Sequence, residues 1–230
     1  MENNAMDVAR QRESLLDAIL PHVAFDGWSD AAFRAAAQDS GLGLALARVI
    51  APRGALDLAS DYHRRGDAMM AARIAGADLS ELRFRDRVAL AVRYRLENAD
   101  REVVRRGSAL YALPMNAGTG ARLIWGTADA IWRALGDNAT DINWYSKRAT
   151  LAAVYSATVL YWLGDDSEGH HATWEFLDRR IADVMRFEKT KAQLGENRLV
   201  ARFLAGPLKL LDRIQAPAPV PDDLPGQMKG

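Results

Sequence analysis

Apolar residues recur at helical spacing along nearly the whole chain, and Val, Ile and Thr never gather into the alternating runs that mark strands. The pattern predicts a first helix over Val8–Phe25, with Leu15, Leu16, Ile19 and Leu20 as its core face. "DGWSDAAF" then reads as a turn at Asp26-Gly27 and an N-cap at Ser29 or Asp30, opening a helix to about Asp39. "SGLG" is a break, and a third short helix, "LALARVI", stops at Pro52. Further helices are predicted over Ala55–Gly66, Leu79–Ala99 and Arg101–Ala112, and Pro114 opens another that ends at Gly136. Trp144 to Leu163 is apolar nearly all round, which predicts a central, buried helix. "GDDSEGHH" is a loop, and "ATWEFLDRRIADVMRF" follows as an amphipathic helix with Trp174, Leu177, Ile181, Val184 and Met185 on one side.

The pattern beyond residue 195 differs in kind. In "ENRLVARFLAGPLKLLDRI", Leu199, Val200, Phe203, Leu204, Leu208, Leu211 and Ile214 fall at helical spacing, flanked by Arg198, Arg202, Lys209 and Arg213 and divided by Pro207. Apolar teeth with cationic flanks suit either a helix lying on anionic lipid or one packed on the body of the domain. "QAPAPVPDDLPG", with four prolines, is a disordered or extended end. The predicted architecture is all-α: a three-helix front unit over 1–54, a helical domain over 55–190, an amphipathic helix over 191–214 and a tail over 215–230.

Composition narrows the chemistry. With 30 basic and 30 acidic residues the net charge is zero, which argues against an overall electrostatic footprint for nucleic acid. Cysteine is absent, so disulfides, thiolate metal sites and a cysteine nucleophile are excluded. The N-terminus lacks the basic-then-apolar character of a signal peptide, and the longest apolar run, Ala149 to Leu163, is shorter than the roughly 18–20 residues a membrane span needs. The simplest expectation is a cytoplasmic protein. No G-x-G-x-x-G, P-loop, G-x-S-x-G or H-E-x-x-H is present. One Glu-x-x-His occurs, at Glu168 and His171, but a di-iron bundle needs two such pairs and two further Glu residues. His22 and His63 stand alone and read as capping or surface residues rather than ligands. No catalytic residue, metal site or cofactor is expected.

The front unit, "GWSDAAFRAAAQDSGLGLALARVI", resembles the helix-turn-helix of TetR-type regulators. Its chemistry departs from theirs. Arg34 and Arg48 cancel Asp30 and Asp39, and the third helix offers Leu44, Ala45, Leu46 and Ala47 where base readers need Arg, Asn, Gln or Lys. The fold is expected without the DNA binding.

The back half resembles a second, narrower group. "DINWYSKRATLAAVYSATVLYWLGDDS" and "TWEFLDRRIADV" are similar to the coenzyme Q protein nine family, accessory proteins of ubiquinone biosynthesis. The similar positions are Asp141, Asn143-Trp144-Tyr145, Lys147-Arg148, Leu151, Tyr155, Thr158, Asp165-Asp166-Ser167, Trp174, Phe176-Leu177 and Arg179-Arg180, together with Trp125 to Trp132. The resemblance covers roughly residues 10–190 and is strongest over 122–186. It implies a TetR-like fold without DNA binding and without chemistry of its own. It also implies a bound isoprenoid quinone or phospholipid, a docking surface for the late-pathway hydroxylase, and a C-terminal helix that touches the inner face of the membrane. Similar folds often dimerise through their last helices, so a homodimer is a further expectation.

A polyprenyl chain needs a dry cavity lined by apolar and aromatic side chains. The expected lining is Ile124, Trp125, Ile131, Trp132, Leu151, Val154, Val159, Leu160 and Trp162. The expected partner surface is Trp144, Tyr145, Arg148, Tyr155, Trp174 and Arg179, with Trp174 and Tyr155 as anchors. The expected membrane contacts are Leu199, Phe203, Leu204, Leu208 and Leu211. The alternative reading is a TetR-type transcriptional regulator with an apolar effector pocket.

Overall fold

The computed structural model describes residues 2–137 and 142–195, so the amphipathic segment 196–214 and its five membrane-contact candidates lie outside the described residues. Helices α1 (Glu2–Asp26), α2 (Asp30–Asp39) and α3 (Leu44–Ile50) form the front unit. They are followed by α4 (Ala55–Ala75), α5 (Phe84–Glu97), α6 (Arg101–Ala112), α7 (Pro114–Ala134), α8 (Ile142–Leu163) and α9 (His171–Gly195), with a 3-10 turn at Glu168–His170. Among the described residues there is no strand.

Local chemistry sets the boundaries. Gly27 takes φ +64° at the end of α1, and the Ser29 side chain accepts from the Ala32 amide to cap α2. The Asp100 carboxylate accepts from the amides of Glu102 and Val103 and starts α6. Leu113, extended because a proline follows it, ends α6 and lets Pro114 open α7 at a position where its missing N–H costs nothing.

Two hydrophobic cores result. The first joins α1, α2, α3 and the start of α4 around Leu15, Leu16, Ile19, Phe33 and Leu58, closed by Trp28 and Val103. The second joins the end of α4 to α5, α7, α8 and α9 around Met70, Val92, Ile131, Leu151 and Leu177. Helix α4 serves both, with Leu58 and Ala59 in one and Met70 and Ile74 in the other.

Two expectations about elements are corrected. Helix α4 does not stop at Gly66 but continues to Ala75. A Cβ on Gly66 would stand 2.6 Å from the Arg95 guanidinium, so this glycine admits a side chain of α5 rather than ending the helix. Helix α8 buries one stripe, Leu151, Val154, Tyr155, Val159 and Trp162, and leaves Leu160 and Tyr161 outward. Tyr161 stacks on Phe176 of α9, ring centroids 4.5 Å apart, so an apolar outer face stands in place of the expected all-round burial.

Candidate functional site

A cavity of about 290 Å³ lies at the seam between the two cores. Trp28, Ala59 and Val103 wall it on the front side, and Leu96, Leu123, Ile124, Tyr155 and Val159 on the back. Small residues of α6 and α7 (Gly107, Ala112, Ala117, Gly120 and Ala121) leave the space open. Its polar lining is short: Tyr62, His63, Arg95, Ser108 and Tyr111, with the phenol of Tyr155.

Arg95 and His63 belong to one network, completed by Asp67 and Thr127. Arg95 is 3% exposed. It donates from Nε to Asp67 Oδ1 at 2.7 Å and from Nη2 to the His63 carbonyl at 3.0 Å. His63 Nε2 lies 2.7 Å from Thr127 Oγ1, which donates to Asp67 Oδ1 at 2.9 Å. Tyr62 accepts from the Asp100 amide at 2.9 Å. Burial, with the Arg95 charge adding to it, pushes His63 down to about 3, so the imidazole is neutral at physiological pH. Burial raises the phenols of Tyr62, Tyr111 and Tyr155 and keeps them protonated. Burial also pushes the Asp67 carboxyl up, against the pull of Arg95 and of the hydrogen bonds from Arg95 and Thr127.

Of the residues expected to line a lipid cavity, Ile124 and Val159 do line this one. Trp132, Leu151 and Val154 line a separate groove of about 260 Å³, shared with Phe84, Val88, Ile181, Val184 and Met185. Ile131 and Trp162 are core residues, 0% and 2% exposed. Trp125 joins an aromatic cluster with Trp144 and Tyr145. Leu160 is 68% exposed and lines neither space.

The partner-surface expectation is corrected at two positions. Arg148 is 1% exposed. It donates to Asp129 at 2.6 Å and to Asp137 at 3.3 Å, and lies over the Trp144 ring. Lys147 also reaches Asp137, at 2.7 Å. Burial works against the Asp137 charge, but its bonds to Lys147 and Arg148 hold the carboxyl below its ordinary range. The basic pair therefore ties α7 to α8. Tyr155, 2% exposed, belongs to the cavity wall. The other four split into two patches. Trp144 and Tyr145 stand at the start of α8, while Trp174 and Arg179 stand on α9, where Trp174 neighbours His170 and His170 neighbours Trp162. About 18 residues of α8 separate the two ends, ~27 Å at a rise of about 1.5 Å per residue.

Sequence reasoning missed Tyr62, His63, Arg95 and Tyr111. The available signal was Gly66 together with His63 and Asp67 on one face of α4, a mid-helix glycine beside polar residues on an otherwise apolar stripe. The Glu168 and His171 pair forms no ligand set: His171 faces Glu175 at 3.6 Å, and both are exposed. Among the described residues no three metal-ligating side chains come together, and no helix is long and apolar enough to cross a membrane.

The COQ9 family model matches residues 117–188. Over 188 residues the chain is 31% identical to the ubiquinone biosynthesis protein COQ9, mitochondrial, of Rattus norvegicus, covering 78% of this chain and 60% of that protein. It is 30% identical to the Homo sapiens protein of the same name over 188 residues, 78% of this chain and 59% of that one. The chain thus spans about three fifths of the length of these curated relatives. The crystal structure of a TetR transcriptional regulator from Nitrosomonas europaea superposes with a TM-score of 0.60 at 19% identity, covering 74% of this chain and 95% of that one. That likeness establishes the TetR-like fold.

Proposed function

The chain belongs to the COQ9 family, and on that footing we propose that it is a non-catalytic accessory protein of ubiquinone biosynthesis. In this reading it binds an isoprenoid quinone intermediate and presents it to the late-pathway hydroxylase at the membrane surface. The seam cavity carries the reading, because it is concave, mostly apolar and equipped with a few convergent polar groups, as sites for small apolar ligands are. The aromatic patches at the two ends of α8 are the candidates for hydroxylase docking, and the segment 196–214 is the candidate for membrane contact.

The TetR-type regulator remains the alternative, since it would use the same cavity for an effector. Helix α3 weighs against it. Leu44, Leu46 and Val49 are its exposed large side chains, and Arg48 is drawn back onto Asp30, which also holds Arg34. A surface of that kind offers few cations to phosphate.

Native mass spectrometry with lipid extraction of the purified protein tests the reading. The expected outcome is a co-purifying quinone or isoprenoid lipid, or uptake of a polyprenyl quinone when one is offered. A protein that emerges empty and stays empty would refute lipid binding.

A further inference from the structure

Helix α7 borders two hollows of opposite character. The seam cavity takes Ala117, Gly120, Ala121 and Ile124 from it. A second cleft, of about 260 Å³, takes Thr119, Arg122 and Gly126, and is closed on its other side by Arg53, Arg64 and Asp67. At helical spacing these two sets lie on different faces of α7, with Leu123 lining both spaces. Leu123 is the one large apolar side chain in the cleft's lining among the described residues, so a hydrocarbon chain has nothing to lie on there.

Three guanidinium groups face one carboxylate in this cleft. That carboxylate is already engaged, because Asp67 Oδ1 accepts from Arg95 Nε at 2.7 Å and from Thr127 Oγ1 at 2.9 Å. Arg53 and Arg64 each hold a carboxylate of α4, Asp57 at 2.7 Å and Asp61 at 3.2 Å. Arg122 holds none. Its Nε donates to the Gly118 carbonyl at 3.2 Å and its Nη2 to the Thr119 hydroxyl at 3.5 Å, and among the described residues no carboxylate pairs with it. Gly126 is an independent observation. A glycine inside a helix costs stability relative to alanine, and packing does not demand this one, since nothing stands within 4 Å of where its Cβ would be. Its bare backbone lets a small ligand approach the helix beside the arginines.

We propose that this cleft binds the phosphate group of a small water-soluble phosphate ester, held by the guanidinium groups of Arg122, Arg64 and Arg53 and by the Thr119 hydroxyl, with Gly126 leaving room for the rest of the molecule. Guanidinium forks match phosphate oxygens two at a time, and such charge-assisted bonds are the strong ones. A lipid headgroup carries the same phosphate, but the lining gives its chains no apolar seat. The site lies outside the seam cavity and does not depend on the lipid-binding reading above.

The test is ligand-observed NMR titration of the full chain in phosphate-free buffer at low salt, with glycerol phosphate and with glycerol. Glycerol phosphate is expected to bind saturably with a Kd on the order of 1 mM or tighter, and glycerol not to bind. Arg122→Gln is expected to weaken the binding about tenfold through lost charge-assisted bonds. Gly126→Met fills the cleft and removes no charge, and is expected to weaken it by a similar factor. Arg180→Gln, which removes an arginine on α9 outside the cleft, is expected to leave the affinity unchanged. Melting curves verify the fold of each variant. Absence of saturable binding, unchanged affinity in Arg122→Gln, or an equal loss in Arg180→Gln would overturn the site. Capture by phosphatidic acid vesicles that Arg122→Gln weakens, without binding of glycerol phosphate, would overturn the soluble ester and make a lipid headgroup the occupant.

Discussion

His63 shows how a single side chain can carry information about its surroundings. Isolated in the sequence, it reads as a surface or capping residue; in the structure it lines the cavity and is linked through Thr127 to Asp67. Its folded-state value of about 3 lies below the ordinary 6.5, so the unfolded chain takes up the proton first as the pH falls. The stability His63 contributes is therefore fully present above about pH 6.5 and drains away as the pH drops toward 3. Between pH 7 and pH 5 this single group is expected to cost about 2 kcal/mol of stability, by linkage. Urea unfolding of the wild type and of His63→Gln at both pH values measures it. Parallel pH dependence in the two proteins would show that the imidazole is not held neutral. The same lesson holds for Arg148, whose position beside aromatic residues suggested a docking surface. Sequence cannot report that Asp129 and Asp137 converge on it from α7 and the turn after it. Ion pairs between elements are made by folding, and nothing in the local spacing announces them.

At the scale of elements, the helices were legible where boundaries are written in local chemistry. α2 with its Ser29 cap, α3 stopping before Pro52 and α6 with its Asp100 cap match their predicted spans. Helix α4 was misread because glycine has two uses that look alike in sequence. Gly66 sits under a neighbouring guanidinium, whereas Gly126 on α7 has nothing within 4 Å of where its Cβ would be. The two substitutions are expected to have opposite signs. Gly126→Ala should stabilise by up to about 1 kcal/mol through helix propensity. Gly66→Ala should destabilise by about 1–3 kcal/mol by forcing Arg95 from its place. Thermal melts of the two variants decide it, and a raised Tm for Gly66→Ala would mean that Arg95 has room to move. The exposed face of α8 has the same origin as the α4 error. Composition says how apolar a helix is, and only its neighbours say which sides are covered.

For the whole molecule, the remaining expectation concerns the chain beyond α9. Removing residues 196–230 should leave the far-ultraviolet spectrum per residue and the cooperative melt in place while abolishing cosedimentation with anionic vesicles. Unchanged cosedimentation of the shortened protein would assign membrane contact to another surface. The amino-acid sequence by itself determined the all-α class, most helix positions and the family, because hydrophobic period, capping residues and motif spacing are local properties of a chain. It also pointed to an apolar interior rich in aromatic residues. The tertiary structure alone decided where that interior opens. The cavity is walled by α1–α2 chain at Trp28 and by α4, α5, α6, α7 and α8, and its polar groups come from residues 62, 63, 95, 108, 111 and 155. A void at the seam of two cores is the space that distant segments fail to fill, and it exists only once long-range packing has set them against one another.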